Sequence, residues 1–316
     1  MEKVLVTGGA GFIGSHSVDA LLAKNIPVRA LDNLSSGRRE NLPLGHPRLE
    51  LMTGDIRDAA QVKLAMQGCS HCLHLAAQVS VTQSLAEPRA SADTNVLGFV
   101  TVLEAARAAR MRRFVYASSA AVYGDPHELP LTEDAGLDPL SPYGLEKLIN
   151  ERYADLYRRL YGLSAFGLRY FNVFGPRQDP QSPYAGVIAL FAKRLESGQT
   201  LTVFGDGQQT RDFVFVGDVA RTNVAALENE AAGICNVATG HSVSLLTLID
   251  TLGRLYGAEP EIDFLPPRHG DIQRSAADPS HLHRLLGIRA GTTLEQGLRT
   301  LLPDGAFCPP ETRRPR

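Results

Sequence analysis

The segment Gly8-Gly9-Ala10-Gly11-Phe12-Ile13-Gly14 stands between an apolar run at residues 3–7 and an amphipathic stretch at residues 12–23. A short unbroken apolar run reads as a buried strand, and apolar residues at helical spacing read as a helix. Glycines at 8, 11 and 14 join the two by a tight turn. Gly8 permits the turn, Gly11 lets the backbone approach a pyrophosphate, and Gly14 lets helix and strand lie close together. The helix start then presents N–H groups and the positive end of its dipole to phosphate oxygens. Alone, such a glycine pattern carries little; between a strand and a helix it predicts a dinucleotide site.

The same alternation continues. Apolar runs at residues 28–31, 49–53, 72–75, 114–118 and 164–170 are separated by amphipathic stretches at 59–66, 93–109 and 142–161. Strands separated by helices need crossover connections, hence a parallel sheet. Strands without polar alternation suit a sheet covered on both faces. The expected class is α/β: a Rossmann-type, doubly wound parallel sheet over residues 1–170. A smaller C-terminal α/β lobe that mainly binds substrate follows over 171–316, where segments shorten and turns become denser. Helices are expected there at 187–196, 219–227 and 243–256, and strands at 201–204 and 211–216.

Composition excludes several functions. A formal net charge of −2 gives no basic footprint for nucleic acid. No apolar run approaches the roughly 20 residues of a membrane span. The first residues enter a strand pattern without the apolar core of a signal peptide, so a cytoplasmic location is expected. Cys69 and Cys72 form a C-x-x-C, but no second ligand pair has metal spacing, and no metal is expected. Cys72, in Cys-Leu-His-Leu, reads as a small buried apolar residue.

Asp32 ends the second strand, where an acid accepts hydrogen bonds from the adenosine ribose and repels a 2′-phosphate, favouring NAD over NADP. Arg38 and Arg39 are the opposing signal. Asp55 follows the third strand, either reaching the adenine edge or starting the helix at 59. Tyr143 and Lys147, four apart, share one helix face. The ammonium, with an oxidised nicotinamide, is expected to lower the phenol's pKa and make it a usable base. Ser119, at the C-terminal end of a strand, is placed where doubly wound folds bind ligands, to orient a proton moving between Tyr143 and a hydroxyl.

These residues, with GGAGFIGSH (8–16), DNLSSG (32–37), GDIRD (54–58), HLAAQ (74–78), YASSAAVYG (116–124), SPYGLEK (141–147), RYFNVFGP (169–176), VFGDGQQTRDFVFVGDVA (203–220) and RHGDIQRSAAD (268–278), resemble the extended short-chain dehydrogenase/reductases that act on nucleotide-sugars. The resemblance runs from residue 1 to about 300. It implies bound NAD, a nucleotide-sugar lobe, and a homodimer formed through the helices at 93–109 and 142–161. Carried over by position, the cofactor contacts are Gly8, Gly11, Phe12, Ile13, Asp32, Asn33, Asp55, Ile56, Leu75, Ala76, Ala77, Asn95, Tyr143, Lys147 and Tyr170, with Gly14 completing the turn. The nucleotide-sugar contacts are Asn172, Val187, Val203, Phe204, Arg211, Arg268 and Asp271. Two arginines can fork onto a diphosphate, and Phe204 can pack on a uracil.

The family contains 4-epimerases, 4,6-dehydratases and decarboxylases, all of which begin by oxidising the sugar at C4. In dehydratases resembling this chain, Thr-Asp-Glu stands where it has Ser119-Ala120-Ala121, and decarboxylases place Glu at the position of Ala121. A methyl group cannot transfer a proton, so the expectation is epimerisation of a UDP-hexose, UDP-glucose/UDP-galactose among them. In related 4-epimerases the position of Ser275 gates the pocket; a small residue there implies room for the 2-acetamido sugars. UDP-glucuronate, another reductase or dehydratase reaction of the family, and an NAD-sensing module are the alternatives.

Overall fold

The computed structural model describes residues 1–180, 186–267 and 272–302. The first half alternates as the apolar runs require: β1 (Val4–Thr7), α1 (Phe12–Ala23), β2 (Val28–Asp32), β3 (Leu49–Thr53), α2 (Ala59–Met66) and β4 (His71–His74). Two short helices, α3 (Val81–Ala86) and α4 (Pro88–Ala92), lead into a single π-helical turn at Asp93–Leu97 and then α5 (Gly98–Ala108). β5 (Arg113–Ser119), a 3₁₀ turn at Ala120–Tyr123, α6 (Pro142–Tyr161) and β6 (Ala165–Tyr170) follow. The expected helix at 93–109 is therefore the end of a longer run that carries a π turn.

The remainder comprises β7 (Asn172–Phe174), α7 (Val187–Glu196), β8 (Leu201–Phe204), β9 (Thr210–Phe215), α8 (Val216–Glu228), β10 (Gly233–Val237), β11 (Ser242–Ser244), α9 (Leu245–Tyr256), β12 (Ile262–Leu265), α10 (Ser280–Leu286) and α11 (Leu294–Arg299). Seven strands form one sheet in the order β3-β2-β1-β4-β5-β6-β10, and every pair in it is parallel. The strand order reverses between β1 and β4, where a doubly wound sheet opens its ligand crevice.

Both sheet faces are covered, as the apolar strands demand. Val18, Leu21 and Leu22 of α1 and Val219, Val224 and Leu227 of α8 fill one side. Val62 and Met66 of α2, Phe99, Val102 and Leu103 of α5, and Ala154 of α6 fill the other. A third cluster, with Ile188 and Phe191 of α7 and Leu248, Ile249 and Leu252 of α9, is the core of the smaller lobe. The chain does not divide cleanly at residue 170. α8 packs on α1, and β10 pairs with β6, so residues 216–237 return to the dinucleotide half. Among the described residues no helix is long and apolar enough to cross a membrane.

Candidate active site

The glycine turn is shaped by contact rather than by flexibility. Gly8 has φ +67°, and a methyl group there would lie 2.8 Å from the Ala76 nitrogen; one on Gly14 would lie 1.9 Å from the Gly8 oxygen. Only glycine fits where the turn, helix α1 and the loop after β4 converge. Gly11 is the N-cap of α1, and no side chain caps that helix. The uncapped first turn, at Phe12 and Ile13, is a ready anion site. Leu75 and Ala76 donate their N–H groups to Thr7 Oγ1 at 3.2 and 3.3 Å, and Thr7 meets His74 Nδ1 at 2.8 Å. Burial lowers His74 to about 3, so this ring is neutral and supports the wall that Leu75, Ala76 and Ala77 present to the turn.

Asp32 is buried, and its two carboxylate oxygens accept the N–H groups of Ala10 (2.9 Å) and Leu34 (2.8 Å). Each oxygen keeps a lone pair for a ribose hydroxyl. Gly37 lies against that carboxylate: a methyl there would sit 2.8 Å from both oxygens. Arg38, the residue that could accept a 2′-phosphate, donates instead to Asp179 at 2.7 Å. Asp55 binds Arg57 through both oxygens and accepts Asn33 Nδ2 at 3.0 Å; the Arg57 guanidinium holds its carboxyl well below the usual range. The helix-start reading of Asp55 is corrected: Asp58 caps α2, accepting from Ala60 and Gln61. Ile56 is buried against Gly98. The uncapped helix start, the crowded glycines and the free lone pairs of Asp32 fit a dinucleotide with an unphosphorylated ribose.

Tyr143 enters through α6, whose first turn is fixed three ways. Ser141 caps it by accepting from Gly144. Ser84 of α3 accepts the Tyr143 N–H at 3.2 Å. Gly144 approaches the 3₁₀ turn so closely that a methyl would lie 2.6 Å from the Ala121 oxygen. Ser119, at the end of β5, accepts the Ala121 N–H at 3.2 Å, and its hydroxyl stands close enough to the Tyr143 phenol to favour the phenolate. Lys147 Nζ lies 5.7 Å from the centre of the Tyr143 ring and donates to the Ala117 oxygen at 3.2 Å. The three predicted catalytic residues thus converge. In the chain alone, burial pushes the Tyr143 phenol up, opposed by Ser119, and pulls Lys147 down to about 8; the expected lowering of the phenol belongs to the site with an oxidised nicotinamide beside it. Desolvation of the charged form is the largest cause of both shifts.

Two predicted cofactor residues are engaged inside the protein. Asn95, 2% exposed, accepts the Gln78 N–H and donates to the Gln78 oxygen, both at 2.8 Å, and to Glu146. Tyr170 donates to Asn223 at 2.6 Å, and Asn223 donates to Ser17 of α1. Both brace the crevice walls.

In the smaller lobe, alternation along β8 separates two predicted substrate residues. Val203 is in the lobe core, while Phe204, on the other face, lines a cavity of about 680 Å³ with Gln209, Phe264, Leu265, Pro267 and Gln273. Asn172 is exposed at the start of β7, Val187 opens α7, and Arg211 lies on β9 with its guanidinium donating to the Thr210 oxygen. Ser275 is buried in a strip held at both ends: Gln273 accepts the Thr210 N–H and Ala276 accepts the Leu131 N–H, each at 2.9 Å. Arg268 and Asp271 lie outside the described residues. Burial raises the thiol of Cys72, which lies in β4 as an apolar filler. Sequence reasoning missed Gly37, Glu146 and Gln78; the acid between Tyr143 and Lys147 was the one visible signal.

A parallel doubly wound sheet with a nucleotide turn and a Ser–Tyr–Lys cluster at its C-terminal edge defines a dinucleotide-dependent enzyme of the short-chain dehydrogenase/reductase type. The model of the NAD dependent epimerase/dehydratase family matches residues 4–238, and the chain belongs to that family. It is 42% identical to the UDP-glucose 4-epimerase of Mycolicibacterium smegmatis, over 94% of this chain and 96% of that one. It is 37% identical to a UDP-N-acetylglucosamine 4-epimerase from Methanobrevibacter ruminantium, solved with UDP-N-acetylmuramic acid, with TM-score 0.91 over 95% and 96% of the two chains. A UDP-glucose 4-epimerase of Thermus thermophilus, solved with NAD, superimposes with TM-score 0.88 at 39% identity, covering 95% of this chain and 97% of that one.

Proposed function

We propose that the protein is an NAD-dependent UDP-sugar 4-epimerase that interconverts UDP-glucose with UDP-galactose and UDP-GlcNAc with UDP-GalNAc through a 4-keto sugar. The observation that carries this reading is the contrast at the end of β5: Ser119 meets Tyr143, while the next two side chains, Ala120 and Ala121, are methyl groups. Neither of the two positions after Ser119 offers an acid to drive elimination.

Gly8, Gly11, Gly14 and the start of α1 hold the pyrophosphate, and Asp32 the ribose. The chemistry supplied by bound NAD is reversible hydride acceptance at C4 of the sugar. Tyr143 takes the proton from the sugar O4 and later returns it. Ser119 orients that hydroxyl, and the Lys147 ammonium stabilises the phenolate. Phe204 and Arg211 hold the nucleotide end, and the short side chain of Ser275 leaves space for an acetamido group. Two copies associate through α5 and α6.

Incubation with the four UDP-sugars, without added NADH, tests this. Interconversion within each pair is expected. Net NADH consumption or a 4,6-dehydrated product would overturn it. Ser275→Tyr is expected to abolish turnover of the acetamido pair and spare the plain hexoses; equal activity on both pairs would remove Ser275 as the gate.

A further inference from the structure

We propose that Glu146 is a positioning residue, a buried carboxyl that sets the pH range over which Tyr143 works beside the Lys147 ammonium and couples that pair to the loop at residues 75–78. Glu146 lies on α6 three residues after Tyr143 and directly before Lys147, about 100° round the helix from it, and turns towards α4 and the π turn. It is 4% exposed. Its Oε2 accepts Ser91 Oγ of α4 at 2.8 Å and Asn95 Nδ2 of the π turn at 2.7 Å. Its Oε1 is buried without a partner among the described residues.

The π turn explains how Asn95 serves both sides. One extra residue in the helical run aims its amide into the seam between α6 and the β4 loop. There the same side chain holds both backbone groups of Gln78 and the Glu146 carboxylate. The loop wall facing the glycine turn and the helix carrying the proton-transfer pair are thus tied through one amide and one carboxylate.

A negative charge at that position acts on both members of the pair. It favours the ammonium of Lys147, against burial, and disfavours the phenolate of Tyr143. The other charged and titratable groups on elements packed against α6 are otherwise engaged or distant in role. His74 of β4 is neutral by burial, and Tyr116 of β5 is kept protonated by burial. Arg169 of β6 pairs with Glu151 and meets Tyr123 of the 3₁₀ turn; Glu104 of α5 pairs with Arg107. Asp93 of the π turn acts on Arg57, Arg89 of α4 is exposed, and α3 carries no charged group.

The inference rests on Tyr143 and Lys147 being the working pair. Glu146→Gln keeps an acceptor for Ser91 and Asn95 and removes only the charge. Removing a nearby anion lowers the pKa of both groups, so both limbs of the kcat–pH profile are expected to move to lower pH by about one unit, without a matching change in KM. Titration of Tyr143 phenolate absorbance, taken as the difference from the Tyr143→Phe variant, should shift the same way and needs no turnover. Glu146→Asp should restore the wild-type limbs, and Glu146→Met gives the neutral reading should the amide fold poorly. Profiles and phenolate titrations that superimpose on wild type would overturn the role of Glu146 alone. Full activity in Tyr143→Phe would overturn it together with the catalytic reading.

Discussion

Tyr143 owes its usefulness to where α6 begins: the Ser141 cap, the Ser84 bond and the close approach of Gly144 leave the phenol one position, against Ser119. Tyr143→Phe keeps that packing and removes the proton, so kcat should fall by about 10²–10⁴-fold with NAD retained. Steady-state kinetics with cofactor content measured in parallel check this. The ionisation of Lys147 adds a limit: with its pKa pulled down to about 8, activity should decline above that pH. His74 gives a separate, structural pH effect. Its folded pKa, about 3, is depressed from the ordinary 6.5, so the unfolded chain takes up the proton first. Its stabilisation is complete above 6.5 and is lost as pH falls from 6.5 towards 3. His74→Asn should flatten that slope in urea-unfolding free energy measured against pH; an unchanged slope would count against it.

At the scale of elements, a buried pair ties Arg169 of β6 to Glu151 of α6, with Nε–Oε1 and Nη2–Oε2 at 2.9 and 2.8 Å. The same guanidinium donates to Tyr123 in the 3₁₀ turn after Ser119. Glu151→Gln leaves a buried charge uncompensated and should cost about 3–5 kcal/mol in urea unfolding. The long apolar runs of the first half were readable because each is a whole buried strand between helices. β10 was not: Gly-Ile-Cys-Asn-Val is short and broken by a glycine and an asparagine, and it takes its place beside β6 after α8 packs on α1. The π turn and α3 and α4 were hidden in a Ser- and Pro-containing stretch with weak periodicity. Of the site, Ser119, Tyr143, Lys147, Asp32 and the glycines were legible because their chemistry follows from local position. The internal partners of Asn95 and Tyr170 and the inward turn of Val203 were not, because which way each side chain turns is decided by partners distant in sequence.

For the whole molecule, the two halves share one frame: residues 216–237 complete the cofactor sheet, and the strip at 273–278 binds back to Leu131. The exposed side chains Leu145, Tyr153, Leu156 and Leu160 form a stripe along α6 near exposed Leu97 at the head of α5. A stripe of that length is suited to a second copy. Leu156→Lys with Leu160→Lys should halve the mass measured by light scattering after gel filtration; a wild-type protein already of single-chain mass would contradict this. The reaction itself is tested most directly by supplying UDP-glucose carrying deuterium at C4 and analysing the UDP-galactose formed. With alanine rather than an acid at positions 120 and 121, the hydride is expected back at C4, so the deuterium should remain at C4 of the product. Its loss to solvent, or its appearance elsewhere in a dehydrated sugar, would contradict 4-epimerisation within a closed site.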